Sequence, residues 1–576
     1  MPYEINNQIA MLRQHLREIP QDTDALSLLA SLYMAIGKYT DALKTAKKIL
    51  VLRPEDYETL YLIAKAYEAI GQDKKSFSFL EKVLQINENH SRAHIDEACY
   101  FEKQKQLKER MACLEKTIQC CREQNDSLLS TALMELGGDY IRLGDITAGK
   151  TCFLDATAAA ASFEEKRAAY SSYLMSTNYD MSLSDDAMLT EHEKYSFLLN
   201  NEETFQHEVP VGKKKLRIGY LSTDFYHHVM AYFLYPLLHR YNRQDFEVIC
   251  YRRNEFTDDA TEQLQASDTI WRDISAMDAK DAANQIHQDE IDILVELGGH
   301  TAGNGLDILA YKPAPLQICG IGYINTTGLK FIDYFLTDTN VDPPGKNDEF
   351  FTEKLLRLPH SHWSYAKRLD APDCGKTAAR ENGYITFGSF NNFAKTTDEM
   401  LLLWREILEK VPGSRLILKS KVFGYAYGRE YIGNRLSALG FSLERIDLRP
   451  ATATHMQEYR EVDIALDTSP YVGGATTCEA LYMGVPVITL EKDRHASRFG
   501  YSMLKAIELE ECIASTKEDY VMKAVDLAND LDHLDELHQG QLREKMLDSP
   551  LMDPTIYMSD LENAYRKIWQ DLVAAK

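Results

Sequence analysis

The residues best suited to chemistry lie in one stretch, which reads DIALDTSPYVGGATTCEALYMGVPVITL over 463–490. Those that suit a phosphate or a ribose are grouped in its middle: Gly473, Gly474, Thr476, Thr477 and Glu479. The two glycines permit close backbone approach, the threonines add hydroxyl donors, and a helix start presents free N–H groups to an anion. The carboxylate, about one turn further on, can accept hydrogen bonds from ribose hydroxyls. This pattern predicts a site for a nucleoside diphosphate. An empty strand–turn–helix unit is the alternative, because parallel-sheet proteins contain several such turns.

Apolar strands alternate with amphipathic segments on both sides of this stretch. The strands are expected to begin at two series of positions: Leu216, Phe246, Ile291, Leu316 and Tyr334, and then Tyr384, Arg415, Ile446, Asp463 and Pro486. Two such blocks indicate two parallel-sheet domains, and the cleft between them is the expected ligand site. From Pro554 to Ala575 the apolar spacing predicts an amphipathic helix that packs back on the body.

The first third of the chain contains an internal repeat. Residues of the same type recur every 34 positions in three columns: Ala30, Ala64 and Ala98; Leu43, Phe77 and Met111; Leu50, Leu84 and Ile118. Tyr33-x3-Gly37 recurs as Tyr67-x3-Gly71, and again out of phase at Tyr140, which indicates an insertion near Gln119 to Asp126. The period resembles tetratricopeptide repeats, whose helix pairs stack into a solenoid with a concave surface for peptides or partner proteins. A plain helical bundle is the alternative.

Composition excludes several classes of protein. The formal net charge of −24 argues against general binding of nucleic acid, whose phosphates would be repelled. The ten cysteines are scattered without a CxxC pair, so we expect no zinc site, no disulfide framework and a reducing cytoplasm. Residues 1–20 lack the apolar core of a signal peptide, and no run reaches the roughly 18 apolar residues that span a membrane.

Several motifs together resemble the protein O-GlcNAc transferase family, which includes the plant Spindly-type enzymes. They are STDFYHH (222–228), HQDEIDILVELGGHT (287–301), KPAPLQICGIGY (312–323), FNNFAK (390–395), VPGSRLIL (411–418), LDTSPY (466–471) and CEALYMGVP (478–486). The resemblance covers essentially the whole chain. It implies a GT-B fold and an inverting transfer of a sugar from a nucleotide donor to protein Ser or Thr. It also implies that no metal is required, and the chain shows no Asp-x-Asp motif in a setting that suits metal-bridged phosphates.

With this resemblance the expected fold class is an α-solenoid followed by two Rossmann-like domains of the GT-B type. The predicted limits are a tetratricopeptide domain at 1–160, a helical linker at 161–213, an acceptor-side domain at 214–378, a nucleotide-sugar-binding domain at 379–545 and a C-terminal helix at 546–576.

The resemblance assigns roles around the donor. Lys395 matches the family lysine that binds the diphosphate, and a cation there would stabilise the departing negative charge. Asn392 matches a donor-site glutamine, although its side chain is shorter. Thr476 matches a threonine that reaches the β-phosphate, with Thr477 as a weaker candidate beside it. For Lys395, a solvated surface lysine is the alternative.

Two further positions complete the donor site. His455 matches the histidine that stacks on the nucleobase, and it precedes Asp463 by the same eight residues as in the family motif. Glu479 matches an aspartate that binds the ribose. A lone histidine on a helix is otherwise more often structural.

On the acceptor side, His228 matches a histidine once proposed as the general base. A histidine can exchange protons near neutral pH. Because the base is disputed in the family, the expected role of His228 is placement near the acceptor or the donor phosphates. Asp224 is expected to cap the helix that follows it.

Two departures from the family bear on the donor. Thr452 stands where the family has a lysine, three residues before the stacking histidine, and Gly474 stands where it has a histidine. This turn is closer to that of Spindly-type members, which use GDP-fucose, whereas ASRFG (496–500) is shared with the O-GlcNAc side.

The favoured interpretation is transfer of GlcNAc from UDP-GlcNAc to a protein held by the repeats, because many bacterial-looking relatives share this turn. Flagellin is one acceptor by family analogy. A GDP-fucose-dependent O-fucosyltransferase, an Asn-directed glucosyltransferase and a non-catalytic scaffold remain as alternatives.

Overall fold

Helices fill the first part of the chain in the computed structural model, which describes residues 2–199, 203–366 and 371–575. Their bounds are α1 (Pro2–Glu18), α2 (Thr23–Ala35), α3 (Tyr39–Leu52), α4 (Tyr57–Ala69), α5 (Asp73–Ile86), α6 (Ser91–Lys103), α7 (Leu107–Gln124), α8 (Leu129–Leu143) and α9 (Ile146–Ala159). Positions 1, 200–202, 367–370 and 576 fall inside the predicted domains but lie outside the described residues.

The repeat columns explain how these helices pack. Ala30, Ala64 and Ala98 are fully buried, because only a small side chain fits where two helices approach closely. One core cluster joins Ala30 of α2, Leu43 of α3 and other residues of α3 and α4, so apolar contacts run from one helix pair to the next. The helix array of the predicted fold class is confirmed.

The turns and the insertion follow the sequence pattern. Gly37, Gly71 and Gly144 all have φ between +72° and +80°, a conformation that residues with a Cβ rarely adopt. Helix α7 has 18 residues where α3 and α5 have 14, and it ends at the left-handed Asn125. The predicted insertion therefore lengthens this helix by about one turn.

Two compact units divide the described chain. One comprises Met1–Asp139 with the short pieces Ala158–Ala161 and Tyr425–Tyr427, and the other holds the remaining residues, including both sheets. The domain limits given above stay predictions. In the described residues no helix is long and apolar enough to cross a membrane.

The first sheet is entirely parallel and has the order β3-β2-β1-β4-β5-β6-β7. Its strands are β1 (Leu216–Ser222), β2 (Phe246–Arg252), β3 (Ile270–Asp273), β4 (Ile293–Glu296), β5 (Leu316–Gly320), β6 (Tyr334–Asp338) and β7 (Lys354–Leu358). The register pairs Gly219 of β1 with Ile249 of β2 and with Leu294 of β4. The helices before and around this sheet are α10 (Phe163–Ser176), α11 (Asp185–Lys194), α12 (Ala231–His239), α13 (Asp259–Gln265), α14 (Ala279–Gln288) and α15 (Leu306–Leu309).

The second sheet is also parallel and has the order β10-β9-β8-β11-β12-β13. Its strands are β8 (Thr386–Ser389), β9 (Arg415–Lys419), β10 (Ile446–Arg449), β11 (Ile464–Leu466), β12 (Val487–Leu490) and β13 (Ile513–Ala514). Its helices are α16 (Ala378–Asn382), α17 (Asp398–Lys410), α18 (Ala426–Ala438), α19 (His455–Glu458), α20 (Ala475–Tyr482), α21 (Phe499–Ala506), α22 (Lys517–Asn529), α23 (Leu531–Glu536) and α24 (Leu542–Leu547).

The last helix, α25 (Pro554–Ala575), has the predicted bounds and lies against the first sheet domain. Tyr565 is buried with its hydroxyl 3.4 Å from that of Tyr220 on β1, and Glu562 accepts a 2.7 Å hydrogen bond from the backbone N–H of Asn242. Helix α25 therefore packs on the domain that contains β1.

Candidate active site

The site lies at the point where the second sheet changes direction. From β8 the strands succeed one another outward to β10, and from β11 they succeed one another outward to β13. The loops after β8 and β11 therefore diverge and leave a crevice, where open α/β sheets bind their ligands. The β8 loop contains Lys395, and the β11 loop is the glycine–threonine turn.

A buried carboxylate holds this turn in shape. Asp467 follows β11, and its Oδ1 accepts hydrogen bonds from the N–H groups of Thr468 at 2.9 Å and Gly473 at 2.7 Å. Its Oδ2 accepts a 2.9 Å hydrogen bond from the Thr489 hydroxyl. With both oxygens occupied by donors, the carboxylate is satisfied inside the fold and fixes the path of the loop.

Gly473 is required by close approach. A Cβ at this position would lie 2.4 Å from Oγ1 of Thr477 and 2.9 Å from Oγ1 of Thr476. Both distances are shorter than side-chain contacts allow, so the two hydroxyls of the first turn of α20 face a bare backbone. The structure thus brings the predicted glycine and threonines together.

The two threonines differ in their setting. The Thr476 hydroxyl is half-buried and donates a 2.8 Å hydrogen bond to Oδ1 of Asn391, whereas Thr477 is buried. Asn392, which the family resemblance placed at the donor site, is exposed and accepts from the N–H of Ala394 at 3.3 Å, at the start of a short 3₁₀ helix. Asn391 is the asparagine that reaches the turn, and the adjacent position in FNNFAK was its only signal in the sequence.

Lys395 ends the 3₁₀ helix Phe393–Lys395 and points to the turn. Its Nζ donates to the carbonyl of Val472 at 3.0 Å and lies 3.5 Å from the centre of the Tyr471 ring. Burial lowers the pKa of Lys395 to about 8, and the negative charge of Asp467 opposes that shift. A cation is thus placed beside the backbone that a diphosphate would approach.

His455 and Glu479 form a direct pair. Nε2 of His455 and Oε2 of Glu479 are 2.7 Å apart, with the histidine 28% exposed and the carboxylate 8% exposed. Rings of Phe390 and Tyr459 lie 5.8 Å and 5.4 Å from the imidazole. The predicted base-stacking residue and the predicted ribose-binding residue are therefore neighbours, joined across α19 and α20.

An ammonium group lies beside Thr452, the position where the family has a lysine. Lys419, at the end of β9, is buried, and its Nζ donates to Oγ1 of Thr452 at 2.8 Å and pairs with Glu458 at 2.6 Å. Thr452 is thus bonded to a lysine of β9 whose charge is paired with Glu458. Sequence reasoning overlooked Lys419, whose only signal was a lysine closing the apolar run RLILK.

The space beside Gly474 is occupied by a ring from the first sheet domain. A Cβ on Gly474 would lie 3.3 Å from the Trp363 side chain, whose indole N–H donates to the carbonyl of Ile321 at 3.1 Å. A larger side chain at position 474 would require this anchored tryptophan to move.

His228 lies in the loop after β1, in the first sheet domain. Its Nδ1 is 3.7 Å from Oδ2 of Asp224, and its side chain is 39% exposed. The prediction that Asp224 caps the next helix is wrong, because α12 begins after Met230 and has no side-chain cap. The loop has extra residues before the helix, so Asp224 faces His228 instead.

A buried glutamate that sequence reasoning overlooked shapes the neighbouring loop. Glu296 ends β4 and accepts hydrogen bonds from the N–H groups of Gly298, Gly299 and Gly305 at 3.1, 2.6 and 3.1 Å. Burial raises the pKa of Glu296 to about 7 despite these donors. Its contacts make it a support for the loop after β4, at the direction change of the first sheet.

Comparison with known proteins now identifies the family. The family model described as Glycosyl transferase family 41 matches residues 173–368 and 377–561, and two tetratricopeptide repeat models match residues 25–56 and 57–90. The chain belongs to glycosyl transferase family 41. The resemblance to protein O-GlcNAc transferases and the predicted fold class are both confirmed.

Two plant relatives support this placement. The probable UDP-N-acetylglucosamine–peptide N-acetylglucosaminyltransferase SPINDLY of Hordeum vulgare is 40% identical over 415 residues, which are 70% of this chain and 44% of the relative. The corresponding SEC protein of Arabidopsis thaliana is 33% identical over 374 residues, 62% of this chain and 37% of the relative. The chain thus matches less than half the length of these plant relatives.

A solved structure of the family covers almost the whole chain. A mutant of the Thermobaculum terrenum O-GlcNAc transferase superposes with a TM-score of 0.80 at 29% identity, covering 90% of this chain and 98% of that one.

Proposed function

We propose that this family 41 member transfers a sugar from a nucleoside diphosphate donor to a Ser or Thr hydroxyl of a protein. The observation that carries the proposal is the position of Lys395, whose ammonium lies 3.0 Å from the Val472 carbonyl in the glycine–threonine turn. In the proposed step the acceptor oxygen bonds to the anomeric carbon while the bond from that carbon to the β-phosphate oxygen breaks. The electron pair leaves with the diphosphate, and the hydroxyl proton passes to a base.

The residues at the point where the second sheet changes direction are suited to a diphosphate leaving group. Negative charge grows on the β-phosphate only as the bond breaks, so a fixed cation and fixed donors stabilise the transition state more than the bound donor. Lys395 and the first N–H groups of α20 supply these groups, and the Thr476 hydroxyl would add a donor by turning its O–H from Asn391 to the phosphate. The His455–Glu479 pair would hold the base and the ribose. Attack from the face opposite the diphosphate would invert the anomeric centre, and the clustered donors are the basis for proposing metal-independent transfer.

UDP-GlcNAc is the proposed donor, because the names of the plant relatives specify it for those proteins. GDP-fucose is the second candidate. It is favoured by Gly474, which stands where the family has a histidine and has Trp363 in the space that a side chain would take. The presence of Thr452 in place of the family lysine favours it too.

The deciding experiment compares Lys395→Ala with Lys410→Ala, an exposed lysine of the same domain. Transfer to a co-expressed acceptor is followed by mass spectrometry with UDP-GlcNAc, UDP-glucose and GDP-fucose in turn, with and without EDTA. We expect Lys395→Ala to abolish transfer and Lys410→Ala to retain it. Turnover by Lys395→Ala at the unaltered rate would refute the role of the lysine, and no transfer with any donor would favour the scaffold.

The acceptor is proposed to be a protein held by the repeats, and flagellin is the candidate to test first. Modified peptides identify both the acceptor and the residue type. Sugar on Asn rather than on Ser or Thr would establish the Asn-directed alternative.

A further inference from the structure

The ammonium of Lys395 is held by two neighbours in the β11 turn. One is the Val472 carbonyl at 3.0 Å, and the other is the face of the Tyr471 ring, whose centre is 3.5 Å from Nζ. An ammonium has three N–H donors. The carbonyl and the π face use two directions, which leaves a third for a ligand.

The Tyr471 ring is itself fixed. The Tyr471 carbonyl accepts a 2.7 Å hydrogen bond from the Thr468 hydroxyl, and the next residue, Val472, donates to the carbonyl of Ala496 at 3.1 Å. The ring of Tyr179 lies beside it, with centroids 5.9 Å apart and planes inclined by 33°. The backbone on both sides of the ring is thus tied down, and the ring has little freedom to leave the lysine.

We propose that Tyr471 is a positioning residue whose ring face holds the Lys395 ammonium in line for the donor's diphosphate. The inference rests on the proposed function, because it assigns to the lysine the leaving-group role given above. A flexible four-carbon side chain would otherwise sample several rotamers, and each off-line rotamer would remove the cation from the bond that breaks.

The ring also acts on the charge of the lysine. Burial disfavours the ammonium, whereas the Asp467 carboxylate and the electron-rich face of the ring favour it. Asp467 reaches Lys395 from the end of β11 and Tyr471 from the turn that follows. Replacing the ring with an apolar side chain of similar bulk removes one favourable contribution without admitting water, so the pKa of Lys395 should fall further.

The test compares Tyr471→Leu with Tyr471→Phe, which keeps the ring and removes only the hydroxyl. We expect Tyr471→Phe to stay within about twofold of the wild type. A partly desolvated cation–π contact corresponds to roughly one pKa unit, so at pH values well above 8 Tyr471→Leu should lower kcat about tenfold, with donor KM nearly unchanged. The alkaline limb of its kcat/KM profile should move about one unit to lower pH, because the charged lysine is the active form.

A second measurement follows the lysine without turnover. Competitive acylation with acetic anhydride over a pH series, read by peptide mass spectrometry, gives the apparent pKa of Lys395 in each variant. It should fall in Tyr471→Leu and stay in Tyr471→Phe. If Tyr471→Leu does not fold, Tyr471→Met supplies the same comparison with a more adaptable side chain.

Two results would overturn the inference. One is an alkaline limb and an acylation pKa in Tyr471→Leu equal to those of the wild type. The other is an equal loss of kcat in Tyr471→Phe, which would assign the effect to the hydroxyl. Failure of the proposed function would give a different result from failure of this inference. In that case Lys395→Ala would retain transfer, while the acylation series would still report the contact between Lys395 and the Tyr471 ring.

Discussion

Adding one methyl group at Gly473 should disable the donor site while leaving the fold in place. The new Cβ would lie 2.4 Å from Oγ1 of Thr477 and 2.9 Å from Oγ1 of Thr476, and 3.2 Å from Oδ1 of Asn391. Ordinary contact begins near 3.4 Å, so the Thr477 hydroxyl must move by about 1 Å. Thr477 is buried and cannot swing into solvent.

The energetic cost follows from that overlap. Forcing one extra carbon into a packed site costs about 1–3 kcal/mol, which corresponds to roughly a 5- to 150-fold change in an equilibrium constant. Because Thr476 and Thr477 are the threonines proposed to bind the diphosphate, we expect most of the cost in binding. The Kd for the nucleoside diphosphate should rise at least about tenfold.

Gly433→Ala is the matched control. Gly433 lies within α18 of the same domain, and a Cβ there would meet no atom within 4 Å. Alanine is favoured over glycine in a helix interior by roughly 0.5–1 kcal/mol, so this variant should be neutral or slightly stabilised. Isothermal titration with UDP and GDP gives both Kd values, and calorimetric scanning checks the fold. Wild-type affinity in Gly473→Ala would refute the close-approach argument.

Three further outcomes follow from the geometry. The kcat/KM profile for the donor should fall as pH rises through about 8, because burial lowers the pKa of Lys395 in the free enzyme and the charged form is active below it; a limb near 10 would contradict this. Glu479→Gln should weaken donor binding about tenfold, since a charge-assisted hydrogen bond to His455 is worth about 1.5–3 kcal/mol, and titration calorimetry measures it. Lys419→Met should destabilise the second sheet domain by about 2 kcal/mol in chemical unfolding, because the mostly buried Glu458 loses its 2.6 Å ammonium partner and is left with the guanidinium of Arg449 at 3.8 Å. The double variant with Glu458→Met should recover most of this loss.

The fold was predictable where the signal is local. Strands β1 and β2 begin at the expected Leu216 and Phe246, since each is a continuous apolar run, and α25 has the expected bounds Pro554–Ala575. Strands β3, β7 and β13 were missed. They lie at sheet edges, and β13 has two residues while β3 is partly exposed, so none shows a long apolar run. The position of α25 on the first sheet domain depends on contacts between distant residues, such as Tyr220 with Tyr565.

The sequence alone determined the repeat, the two sheet blocks and the chemical character of the opening stretch, because periodicity and turn composition are local properties. It also placed a lysine and a histidine close to that stretch by resemblance. Tertiary structure decided which neighbour does what: Asn391 rather than Asn392 meets Thr476, and Lys419 supplies the ammonium beside Thr452. The physical reason is that the loops after β8, β9 and β11 meet only once the order of the parallel strands is set, so these contacts have no trace in any one segment.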